Sequence, residues 1–273
     1  MFGVLTVSVE ENLPAGQRAV LRLRPAKGLS RTEDLFRTAM FCHVRVTLCA
    51  GWREKRQQKR VGEALLQLRA KGCRQVVLSR EWWEAAKAAE LVPVAARPAL
   101  EACGAQAVLE ACRGLDLPAG ETCLAVYGRR ISPQSAMQLL TLAKSLRTLR
   151  IYGEGNEQLR NQLWRGCGIV DRGPMPEGAP VLALLLQGGK LQGQPRLTVD
   201  LSDGAGEGKG PLWKPRLLLP QGAYAKMPEG ASPAAFGAAL LQAGALQSRE
   251  IHVSRLDIPA PTQYNKEIVE NCF

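Results

Sequence analysis

Apolar positions along this chain recur with two periods. Short runs rich in Val, Leu and Ile alternate with longer stretches in which apolar residues return every three or four positions. The first pattern predicts strands and the second predicts helices. Val4 to Val9 and Arg18 to Arg24 read as extended, with turn chemistry at Asn12 to Gly16 between them. Ser30-Arg31-Thr32-Glu33 matches a capping box and predicts a short helix over Thr32 to Phe41. From His43 the pattern becomes regular, with strands at His43 to Leu48 and Gln75 to Leu78. The helix predicted between them, Arg53 to Ala70, puts Val61, Ala64, Leu65 and Leu68 on one face, and Lys71-Gly72 ends it. A helix over Arg80 to Glu90, an extended Leu91 to Val94 and a helix from Pro98 to Cys112 complete the first half.

The clearest unit follows. An apolar strand, Cys123 to Tyr127, turns through Gly128-Arg129-Arg130-Ile131 into Ser132-Pro133, a strong helix start: serine caps the first amides, and proline there loses no hydrogen bond. The helix runs on to Leu146 and is followed by a strand at Leu149 to Tyr152 and by Gly153-Glu154-Gly155-Asn156. Further on, a helix over Asn156 to Gly166 and strands at Gly168 to Val170, Val181 to Leu186, Arg196 to Leu201, Arg216 to Leu219 and Glu250 to Ser254 are predicted. Ser232 to Ala243 is a helix with proline in its first turn.

Strands alternating with helices predict an α/β fold with a doubly wound, mostly parallel, Rossmann-like sheet. The expected organisation is an amino-terminal β-hairpin and helix extension over 1–42, an α/β core over 43–186, and a β-rich carboxyl-terminal segment over 187–273. The strand-helix-strand units at 43–78 and 123–152 share only an apolar pattern, so no repeat is expected.

Charge changes the picture. The formal net charge is +11, with 19 basic and 12 acidic residues in positions 1–120 against 17 and 13 in 121–273. A basic surface favours anionic partners. The eight cysteines are scattered with no C-x-x-C, and the chain has only two histidines. Neither a disulfide framework nor a metal site is expected. The longest apolar run, Val181 to Leu186, is far short of the ~20 residues that span a bilayer, and Met1-Phe2-Gly3-Val4 lacks the start of a secretory signal. No membrane association is expected, and the expected location is the cytoplasm.

Two sites compete. At the first, the start of the helix after Cys123–Tyr127 presents free amides to an anion. Gly128, Arg129, Arg130 and Ser132 would bind a small anionic molecule or nucleotide there, with Glu154 holding a hydroxyl. Fold analogy alone suggests NAD or NADP. The turn has one glycine where a dinucleotide fingerprint has three, and whether the protein is an enzyme stays open, with no catalytic set assigned. At the second, Arg53, Lys55, Arg56, Lys59 and Arg60 open a helix and would bind nucleic acid, or a protein, on a non-catalytic scaffold.

Lesser features read as structural. Cys42-His43 sits on a strand, where neighbours face opposite sides. Trp82-Trp83 suits one core aromatic with an exposed neighbour, or a stacking platform. Gly204 to Gly210 fails the phosphate-loop pattern and reads as a surface loop. Tyr224-Ala225-Lys226 has the wrong spacing for a reductase pair, and Asp200 and Asp203 suit turn stabilisation.

Overall fold

A computed structural model describes residues 1–10, 30–129, 131–167, 181–191, 193–203 and 211–256. The chain divides into two compact units, Met1–Leu100 with Leu217–His252, and Glu101–Arg216 with the segment from Val253 onward. Both are built on parallel strands flanked by helices, the Rossmann-like α/β class that the alternation predicts.

In the first unit, β1 (Phe2–Glu10) is the central strand. The hairpin of β2 (Ser30–Phe36) and β3 (Ala39–Cys49) lies to one side of it. Helix α1 (Glu54–Ala70) then leads to β4 (Gln75–Val77) on the other side. A 3-10 turn (Arg80–Trp82), α2 (Trp83–Ala88), β5 (Val92–Pro93) and α3 (Arg97–Ala102) follow. The sheet order is β2-β3-β1-β4-β5, with only β2 antiparallel. Because β3 and β4 both run parallel to β1, α1 must cross one face of the sheet to join them. Its buried Val61, Ala64, Leu65 and Leu68 meet Cys42, Val44, Val46 and Leu48 of β3 in one core.

The opposite face is closed by aromatic rings. Phe2 and Phe41 stack at 5.5 Å, and Phe236 meets each edge-on, at 5.9 and 5.3 Å. Phe236 belongs to α8 (Pro233–Gln242), a helix the sequence predicts, whose Ser232 cap accepts from the Ala235 amide.

The second unit contains α4 (Gly104–Gly114), β6 (Cys123–Tyr127), α5 (Pro133–Ala143), β7 (Thr148–Tyr152), α6 (Glu157–Cys167), β8 (Val181–Leu185), β9 (Leu197–Asp200) and β10 (Leu212–Trp213). Its sheet, in the order β10-β9-β8-β6-β7, is parallel throughout. Numbered within the sheet, that order is 2-1-3-4-5, a doubly wound order whose reversal falls between β6 and β8. The parallel strands β3-β1-β4-β5 of the first unit follow the same scheme without its last strand. The remaining elements are β11 (Leu217–Leu218), α7 (Gln221–Lys226) and β12 (His252–Val253), with β11 and β12 paired.

Several expectations are corrected. The helix over Thr32 to Phe41 is instead the β2–β3 hairpin, turning at Arg37 with φ of 52°. A capping box satisfies two amides of one turn, whereas the ladder from Ser30↔Arg45 to Phe36↔Ala39 engages the whole segment. The helix from Pro98 breaks at Cys103 into α3 and α4. The helix from Arg80 to Glu90 is a 3-10 turn followed by the short α2. The strands expected at 18–24 and 168–170 lie outside the described residues. Among the described residues, no helix is long and apolar enough to cross a membrane.

The hairpin turn is tied to a distant part of the same unit. Arg37 donates to both oxygens of Glu250, at 2.7 and 3.0 Å, and to the carbonyl of Ala245 at 3.0 Å. The guanidinium, with help from the Gln247 amide, holds the Glu250 carboxyl at about 2.

A depressed carboxyl stabilises the fold above its unfolded value and loses that contribution as pH falls through its folded value. The stability gap between wild type and Glu250→Gln is therefore expected in full near neutrality and should shrink between pH 4.5 and about 2 in urea titrations. Removing the ring of the fully buried Phe41 in Phe41→Ala is expected to cost about 3–5 kcal/mol in the same assay.

Candidate functional site

The turn after β6 lies at the carboxyl end of the second sheet, beside the reversal between β6 and β8. Three loops meet there. The Gly128 amide donates to Tyr152 O at 3.2 Å, Arg129 N to Gln187 O at 3.3 Å, and Leu186 N to Tyr127 O at 2.8 Å. Asn156 is the buried clasp: its Nδ2 donates to Gly128 O at 3.0 Å, and its Oδ1 accepts from Ile131 N at 3.1 Å. Gly153, at φ +120°, brings its backbone so close that an added Cβ would fall 2.1 Å from Gly128 O. The amides that could have faced an anion are therefore largely engaged by the protein itself.

The helix start behaves alike. Ser132 caps α5 through Ser135 N, and its hydroxyl donates to Glu101 Oε2 at 2.5 Å. Glu101 is only 5% exposed. The chain's own carboxylate thus sits at the positive end of the helix, where an external anion was expected. A neighbouring cavity lined by Glu101, Ser135 and Gln138 has a volume of about 10 Å³, the size of a single water. Arg129 and Glu154 are both exposed, on the loops after β6 and β7. Arg130 lies outside the described residues. Neither Glu101 nor Asn156 stands out in the sequence; only the tendency of asparagine to bond backbone groups hinted at the second.

The basic run is arranged differently. Glu54 opens α1, and its carboxylate accepts from Gln58 at 2.8 Å. Arg56 lies over the Trp52 ring, 4.4 Å from its centroid, while Gln57 donates to Trp52 O at 3.1 Å. Trp52 is anchored in the core shared with α1, so the guanidinium rests on a rigid support. Arg60 turns inward, 8% exposed and 3.9 Å from Glu63. Arg53, Lys55 and Lys59 are exposed and form no ion pair among the described residues. Elsewhere some basic residues are paired, Lys71 with Glu33 at 2.7 Å, Lys87 with Glu84 at 2.6 Å, Lys226 with Asp34 at 2.8 Å, and Arg69 with Glu90, whereas Arg74, Lys144 and Arg165 are exposed and form no ion pair among the described residues. A second stack, Arg80 over Trp83 at 5.4 Å, follows β4. Trp82 and Trp83 are both half-buried against the core, so neither is a free platform.

The lesser features are structural where they are described. Cys42 faces α1, whereas His43 points to the other side of the sheet, its Nε2 2.8 Å from Thr6 Oγ1. Burial, then Arg45, pushes the His43 imidazole below its usual value. Burial also raises the thiols of Cys73 and Cys103, to about 11 and about 12, which makes them poor nucleophiles near neutral pH. Asp200 accepts from the amide and hydroxyl of Ser202, at 2.9 and 2.5 Å, and stabilises a turn. Tyr224 and Lys226 lie on α7, where Lys226 is engaged with Asp34. The 204–210 loop lies outside the described residues. Among the described residues, no group of three His, Cys, Asp or Glu side chains could hold a metal.

Gly153→Ala tests the closure of the turn. A side chain there requires Gly128 to move and must adopt positive φ, so the substitution is expected to cost more than about 1 kcal/mol in urea unfolding. No family model matches this chain and a search of curated proteins returns no match, so its function is argued from its own geometry.

Proposed function

We propose that this protein is a non-catalytic binding protein that holds a nucleic-acid backbone along the first turns of α1. The observation that carries this reading is the exposure of Arg53, Lys55 and Lys59 without ion-pair partners among the described residues, beside an Arg56 already oriented by Trp52. Positive charge at a helix amino terminus opposes the helix dipole, at a cost of a few tenths to ~1 kcal/mol per residue. Stability therefore gives no reason for the cluster, whereas an approaching row of phosphates does. Stacking holds the Arg56 guanidinium in place before a phosphate arrives, which lowers the entropy lost on contact. A net charge of +11 adds long-range attraction toward the same partner. The turn at Gly128 offers an anion less, because its amides and helix start already have protein partners.

Binding of this kind releases counterions, so affinity falls steeply with salt, by about 0.7–0.9 log units per log unit of salt for each phosphate contacted. Fluorescence anisotropy with labelled single- and double-stranded oligonucleotides of roughly 20 residues measures that slope. The variant Arg53→Gln/Lys55→Gln/Lys59→Gln is expected to lower it by about 2–3 and to weaken binding of all sequences alike. An unchanged slope in this variant, or no binding of either oligonucleotide at low salt, would rule the reading out.

A further inference from the structure

Helix α1 has a second exposed side, facing α2, and its chemistry is opposite to that of the basic turn. The two helices border a cleft of about 700 Å³ within the first unit. Gly62, Ala85 and Ala88 line it with small residues, and Leu66 and Trp82 supply larger apolar surface. Leu66 is 55% exposed and lies beside the half-buried Trp82 along the cleft wall. Three carboxylates, Glu54, Glu81 and Glu84, also line the cleft, and no Lys or Arg is among its described lining residues. Glu84 is neutralised by Lys87 at 2.6 Å. Glu54 and Glu81 accept from the neutral donors Gln58 and Ser79, at 2.8 and 3.1 Å, and form no ion pair among the described residues. On a chain of net charge +11, this is a local reversal of sign beside an apolar surface.

We infer that the cleft docks an amphipathic helix of a partner protein, with aliphatic side chains on the docked face and Lys or Arg along its flank. Charge complementarity selects this occupant. A cationic flank is drawn to Glu54 and Glu81 and repelled by Lys55 and Lys59 on the outer side of the same helix, which fixes where the partner lies. The small residues let its backbone approach within the 8–10 Å typical of packed helices, and Leu66 and Trp82 supply apolar contacts for its anchors. Such helix-in-groove docking reads anchors at helical spacing. An acidic helix would meet like charge, and two copies of this chain, each of net charge +11, would repel one another at long range.

The test uses the full chain and two labelled probe peptides. One is a helix of Leu and Ala with a Lys flank; the other has Glu in place of every Lys. The Lys peptide is expected to bind at least tenfold more tightly than the Glu peptide. Glu54→Lys/Glu81→Lys and, separately, Ala88→Trp, which fills the cleft from an exposed position, are expected to weaken it at least tenfold while circular dichroism stays that of wild type. Arg53→Gln/Lys55→Gln/Lys59→Gln should not weaken Lys-peptide binding, since it removes only charges that repel the peptide, which separates this site from the nucleic-acid surface. Equal binding of the two peptides, no binding of the Lys peptide, or undiminished binding by both cleft variants would overturn the inference. Self-association of the chain that Ala88→Trp abolishes, without peptide binding, would also overturn it by assigning the cleft to a second copy.

Discussion

The parallel pairing of β3 and β4 on either side of β1 is the constraint from which the first unit follows. Parallel neighbours cannot be joined by a tight turn, so the connection must be long, and α1 is that connection. Crossing β1 presses one face of the helix onto the sheet, where Val61, Ala64, Leu65 and Leu68 find the side chains of β3. Once that face is committed, the rest of α1 is assigned. The first turns emerge at the carboxyl edge of the sheet with Arg53 and Lys55 outward. One flank meets α2 along the cleft, and Arg60 is drawn under the helix toward the core. Three surfaces of different chemistry on one helix result from a single packing requirement.

The second unit shows the same order of strands put to a different use. Its reversal between β6 and β8 is where sheets of this type commonly open a crevice. Here the loops that would frame a crevice bond to each other. The Leu186 amide reaches Tyr127, Arg129 reaches Gln187, and Asn156 spans Gly128 and Ile131. Glycine makes this possible, because Gly153 and Gly189 approach the neighbouring carbonyls more closely than any side chain would allow. The helix dipole of α5 is met by Glu101. An internal carboxylate satisfies the same electrostatic demand as a bound anion, and it carries none of the entropic cost of capturing one from solution.

Signals that act within one or two turns of chain are legible in this sequence. The serine caps at Ser132 and Ser232, the proline that follows each, and the periodicity of α1, α5 and α8 all operate within one or two turns of chain. The capping box at Ser30 to Glu33 failed because the segment had a better partner: β3 offers hydrogen bonds along its whole length, and an edge strand needs no apolar alternation strong enough to betray it. The basic run was visible as five charges, but its division into three exposed side chains, one guanidinium on Trp52 and one buried arginine was not. That division depends on which side of α1 faces the sheet and on where Trp52 is held.

The order of amino acids by itself determined that this protein is an α/β molecule, where α1, α6 and α8 begin and end and where α5 begins, and that its charge favours anions. These properties arise from contacts between residues a few positions apart, or from no contacts at all. Tertiary structure alone decided that the described strands form two five-stranded sheets and a separate two-stranded pair, that Glu101 and Asn156 close the turn at Gly128, and that an acidic cleft lies beside a basic helix end. Each of these joins groups separated by tens of residues, and periodicity along a chain carries no record of which distant segment will supply the partner.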